Sequence, residues 1–120
     1  MPFVIVRTNA ELTWAQESEL AASMGRAMSH VPGKSEADLL LAIDSGQRLW
    51  LAGRDDVPAA YVDAALFGTE NHLGYPEFST AVARAFADVA GIDARNVFVQ
   101  LSEIGAFSAG PAFFDRGLFT

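Results

Sequence analysis

Two apolar stripes, each member of one lying 58 residues from its counterpart in the other, constrain this chain more than any other feature. Leu20, Met24, Ala27, Met28 and Val31 recur at i, i+4, i+7, i+8 and i+11, the spacing of one helical face. Phe78, Val82, Ala85, Phe86 and Val89 repeat that spacing. Each stripe lies between two short runs of β type, 3–8 and 39–43 around the first, 59–67 and 96–101 around the second. The pattern predicts an internal duplication, about 2–57 and 58–120, within a single domain spanning 1–120. Each half is a β–α–β unit whose parallel strands are joined by a helix. Side by side, the units make an α+β two-layer fold, a four-stranded mixed sheet with two helices on one face.

Local signals agree with this division. Thr13 followed by Gln16 has the form of a capping box at the start of the first helix. Pro32-Gly33 ends that helix, and Gly91 stands where the second wants a left-handed residue. Ser45-Gly46 turns the chain after the second strand, and the apolar segment 48–52 suggests a short hairpin partner for it.

With both helices on one face, the other face of the sheet has no covering layer from its own chain. Hydrophobic residues make up 51% of the sequence and charged ones 19%, too little charge to solvate a bare sheet. Further copies of the chain, in a closed symmetric oligomer, are expected to cover it. A net charge of −7 argues against binding a phosphate backbone, so no nucleic-acid partner is expected. The absence of cysteine excludes disulfides and thiol chemistry and fits a reducing compartment, hence a cytoplasmic location. The two histidines, His30 and His72, stand 42 residues apart without a ligand pattern, so no metal site is expected. The longest apolar runs are five or six residues, so no membrane association is expected, and no secretory signal is legible.

The first strand begins Met1-Pro2-Phe3-Val4-Ile5-Val6. A small second residue favours removal of the initiator methionine, which leaves Pro2 as a secondary amine fixed to a core strand. An ordinary α-amino group titrates near ~7.7–8.0. Burial beside apolar groups disfavours its charged form and makes it a neutral base at physiological pH.

The proline-first strand, the duplicated unit, the Gly33-Lys34 pair after the first helix and a glycine-rich tail together resemble the tautomerase superfamily, in its macrophage migration inhibitory factor branch. The likeness spans the chain and is strongest over 1–9, 51–58 and 91–99. It implies a homotrimer with sites between neighbouring subunits, and a cofactor-free keto–enol tautomerase acting on α-keto acids such as phenylpyruvate. Pro2 is then the general acid/base. Lys34, the only lysine in the chain, binds the substrate carboxylate, and the backbone N–H near Phe67 supplies a further donor. Phe3 completes the wall, with Phe98 and Gln100 contributed by the neighbouring subunit.

Departures from the family pattern are also plain. Phe98 and Gln100 stand where the branch carries Tyr and Asn, removing a hydroxyl whose hydrogen bond contributes about 1 kcal/mol. Ala59-Ala60-Tyr61-Val62 replaces a Cys-x-x-Cys, so no thiol–disulfide activity carries over. The tail diverges at 110–114, which makes Phe107 and Phe113 candidates for apolar lining. The resemblance leaves two other readings open. One is a cytokine-like protein with a residual pocket, secreted without a signal peptide and binding a protein receptor. The other is a further proline-based activity, of malonate semialdehyde decarboxylase or haloacrylate dehalogenase type, for which Arg7 and Glu103 would be the charged residues. His30, His72, Trp14 and Trp50 read as capping, loop and packing residues.

Overall fold

In the computed structural model the described residues are 2–68 and 71–119. Met1, Thr69, Glu70 and Thr120 lie outside them, and with Met1 the expected removal of the initiator. The elements follow the duplication: β1 (Pro2–Thr8), α1 (Trp14–Met28), β2 (Leu40–Asp44), β3 (Ala60–Phe67), α2 (Tyr75–Ala90) and β4 (Val97–Ile104). The main sheet has the order β2-β1-β3-β4. Each β–α–β unit pairs its strands in parallel, and the units meet antiparallel along β1 and β3. The sheet is therefore mixed.

Alternation along the strands sorts the residues between the two faces. Val4, Val6, Val62, Ala64 and Leu66 face the helices and are almost fully buried against Leu20, Met24, Met28, Phe78, Val82 and Phe86. Both predicted stripes thus form the core, and truncating Phe78 or Phe86 to alanine costs about 3–5 kcal/mol. The Thr13–Gln16 capping box is formed, with both reciprocal bonds in place. Gly91 caps α2 at φ 67°.

The two halves differ where they end their helices. α2 runs through Val89, whereas α1 stops at Met28, three residues before Val31. Proline disfavours helical dihedrals in the residue before it. The backbone ahead of Pro32 accordingly tightens into i to i−3 bonds at Ser29, His30 and Val31. Val31 is still buried, so the stripe outlives the helix.

Two expectations need correction. The 48–52 segment adds no strand to β2. It closes on itself through reciprocal Leu51–Arg54 backbone bonds of 2.8 and 3.0 Å, around positive-φ residues Ala52 and Gly53. The last strand also does not end at 101. β4 continues to Ile104, and after Gly105 the tail forms an antiparallel hairpin, β5 (Ala106–Ala109) with β6 (Ala112–Asp115), ending in a single 3-10 turn at Arg116–Phe119.

The crossing from the first unit to the second is held by polar side chains. Buried Thr8 donates its hydroxyl to Ala59 O at 2.8 Å and accepts from Ala10 N at 3.2 Å. Asn9 donates through Nδ2 to Val57 O at 2.8 Å and accepts from Ala59 N at 2.9 Å.

The opposite face is bare of helices. It carries the exposed apolar residues Ile5, Leu40 and Phe98, together with Arg7, Asp44, Asp63 and Gln100. Among the described residues no helix is long and apolar enough to cross a membrane.

Candidate active site

Strand register fixes which sequence candidates can meet. Pro2 is buried at the start of β1, opposite Leu66 on β3. Because β3 runs antiparallel to β1, its last residue, Phe67, comes to the Pro2 end of the sheet. α1 runs back along the sheet, and the connection leaving it must reach the start of β2, where Leu40 pairs with Phe3. Lys34 lies in that connection, half-buried, so topology delivers it to the edge where Pro2 sits. No carboxylate of the described residues pairs with its ammonium.

The tail completes this end with aromatic rings. Phe107 of β5 lies edge-on to Phe3 at 5.7 Å and to Phe67 at 4.8 Å, and stacks on Phe114 of β6 at 5.0 Å. Phe3 and Phe67 project from the helix-free face, so the hairpin closes over that face beside the proline-bearing strand end. Such ring pairs contribute about 0.5–1.5 kcal/mol each beyond their buried area. Phe107 was legible as a lining candidate and Phe114 was not. The other tail candidate, Phe113, is 62% exposed and outside this cluster. Alternation along β6 could have separated the two, since Phe114 is the register partner of Phe107.

Phe98 and Gln100 are not brought to this end within the chain. Phe98 pairs with Tyr61, which pairs with Arg7, five residues along β1 from Pro2. At about 3.3 Å per residue that is about 17 Å along the strands alone. Gln100 pairs with Asp63, which pairs with Ile5, about 10 Å along and two strand spacings of about 4.8 Å across. A site using these residues together with Pro2 needs a second copy of the chain.

The charged residues weighed for other chemistry are engaged elsewhere. Arg7 lies at the far end of β1 and approaches Asp44 at 4.0 Å. Glu103, two strands across from Pro2 on the helix-facing side, lies 3.1 Å from His72 Nε2, and the His72 ring stacks on Tyr75. No cluster of three or more metal-ligating side chains occurs among the described residues.

A proline-led central strand, with the rings of Phe3, Phe67 and Phe107 packed beside its first residues and Lys34 in the connection that leads to that end of the sheet, belongs to a two-layer α+β protein. No protein-family profile matches the chain, and no curated protein matches it in sequence. Solved structures do match. MIF2 from Leishmania major superposes with a TM-score of 0.86 at 22% identity, over 95% of this chain and 97% of that one. The macrophage migration inhibitory factor-like protein of Entamoeba histolytica gives 0.82 at 17% identity, over 94% and 98%. Pt0534, solved after inactivation by 2-oxo-3-pentynoate, gives 0.82 at 13%, over 98% and 99%. The chain has the fold of these macrophage migration inhibitory factor proteins.

Proposed function

We propose that the protein is a cofactor-free keto–enol tautomerase of α-keto acids such as phenylpyruvate, working as a homotrimer. The observation that carries this reading is the burial of Pro2 at a strand end where the rings of Phe3, Phe67 and Phe107 pack together, and the place of Lys34 in the connection leading to that end supports it. Once Met1 is removed, Pro2 presents a secondary amine in apolar surroundings, where its neutral form is favoured. The amine takes a proton from the carbon next to the keto group and passes it to the keto oxygen to give the enol, and in the reverse direction it carries the enol proton from oxygen back to that carbon. Lys34 neutralises the substrate carboxylate, and the backbone N–H near Phe67 donates to the substrate. The phenylalanines exclude water and hold an aryl side chain.

Phe98 and Gln100 enter from a neighbouring copy, which agrees with their distance from Pro2 in the same chain. The exposed apolar row of Ile5, Leu40 and Phe98 on the helix-free face supports assembly on that side. The inactivation of Pt0534 by 2-oxo-3-pentynoate, itself an α-keto acid, supports the substrate class.

The test compares Pro2→Gly with the parent protein, after intact-mass measurement confirms loss of Met1 in both. Positioned proton transfer contributes about 10²–10⁴-fold. Turnover of phenylpyruvate is expected to fall by at least about a hundredfold, with the oligomer unchanged in sedimentation. Unchanged turnover refutes the assignment of Pro2.

A further inference from the structure

We propose that Gly25 and Gly74 are positioning residues for Lys34, gripping the connection that carries it from two sides. The inference rests on the reading of Lys34 as the carboxylate-binding group and adds what holds that group in place.

Gly25 is buried in the last turn of α1, a helical position where glycine costs up to about 1 kcal/mol relative to alanine. Its missing side chain has an occupant. The Cγ, Cδ and Oε2 atoms of Glu36 fill the space that a Cβ at position 25 would take. Glu36 opens the single 3-10 turn Glu36–Asp38, two residues after Lys34.

Gly74 precedes α2 at φ 81°, and its open side is filled by backbone, the carbonyl of His30 and Cα of Val31. Val31 is 1% exposed, and its carbonyl accepts the Lys34 N–H at 3.1 Å. Lys34 therefore hangs between two seats, the 30–31 backbone on Gly74 and the Glu36 side chain on Gly25. Among the described residues no side-chain hydrogen bond or ion pair of Lys34 or Glu36 supplements them. At Gly74 the 30–31 backbone itself leaves no room for a side chain, and at Gly25 the exposed Glu36 side chain lies where one would stand, so a side chain at either glycine has to displace part of this connection. A less firmly held ammonium contributes less to binding the carboxylate in the ground and transition states alike.

Gly25→Ala is the clean perturbation. It adds the best helix former, so α1 is retained and the thermal midpoint is expected not to fall. The added methyl evicts Glu36 and loosens the connection. Steady-state kinetics with phenylpyruvate should show KM raised about three- to tenfold with kcat within about twofold, the pattern of lost uniform binding. Glu36→Ala should raise KM similarly, and Glu36→Gln, which keeps the shape without the charge, should not. In a Lys34→Ala background Gly25→Ala should add nothing, because the residue it positions is gone.

A Gly25→Ala protein with unchanged KM, while Lys34→Ala raises it, overturns this inference alone. So does a KM increase that persists in full in the Lys34→Ala background. Lys34→Ala with unchanged KM refutes the carboxylate role itself and takes this inference with it.

Discussion

Replacing Phe107 by alanine removes a ring that touches both the sheet and the second strand of the tail hairpin. Three ring contacts are lost together, to Phe3, Phe67 and Phe114. A fully buried Phe→Ala costs about 3–5 kcal/mol. Phe107 is only half-buried, and its three neighbours remain free to close partly over the gap. A loss of about 2 kcal/mol, toward the lower end of the range of about 1.5–4.5 kcal/mol for three ring pairs, is the expected figure. The loss is local, because β5 and β6 pair with each other and not with the main sheet. The hairpin should therefore open by itself, while β1, β3 and the helices keep their protection. In native-state hydrogen exchange, 2 kcal/mol corresponds to about 30-fold faster exchange at the β5–β6 amides. Amides of Val4, Val6, Val62 and Ala64 should be unchanged within error. Uniform acceleration across the chain would show that Phe107 belongs to the global core, and no acceleration would show that the rings do not hold the hairpin down. Either result refutes the reasoning.

Thr8→Val is nearly isosteric but leaves Ala59 O and Ala10 N without the Thr8 hydroxyl in a buried setting. It should destabilise by about 1–3 kcal/mol in urea titration, with the m-value unchanged. Gly91→Ala forces a Cβ into the left-handed region at φ 67° and should cost about 1 kcal/mol, read as a lower thermal midpoint. The Asp93 carboxylate accepts from the Arg95 guanidinium at 2.7 Å and from Arg95 N at 2.9 Å, which hold its pKa at about 2 against an ordinary 3.8. A depressed folded-state pKa means that the stabilisation is present above about 3.8 and lost as pH falls through about 2. Carboxyl NMR should place the Asp93 transition there, and Arg95→Ala should move it upward.

The duplication was readable because both helices bury the same face against the same sheet, which forces one spacing on both halves. Leu20 and Phe78 differ in volume but hold equivalent places in the core. The end of α1 was less legible, since Val31 keeps the helical spacing while Pro32 bends the backbone away from it. The tail hairpin left almost no signal. Its strands are four residues each, built around Ala106, Ser108, Ala109 and Ala112, and its apolar content is divided between an inward Phe114 and an outward Phe113. Trp50 and Leu51 misled because apolar residues near a turn usually find a strand to pair with. Here Trp50 is 61% exposed on the described chain. As for the candidate site, topology alone sends Phe67 to the strand end that begins with Pro2 and Phe3, and puts Lys34 in the connection leading there. The distance of Phe98 and Gln100 from them needed the strand register.

The central claim is an uncharged secondary amine at Pro2, and its titration in protein shown by mass to lack Met1 is the most direct test. Followed by nitrogen NMR, the Pro2 amine should lose its proton below about 7.7, the lower end for an ordinary α-amino group. A midpoint at or above that value contradicts the account.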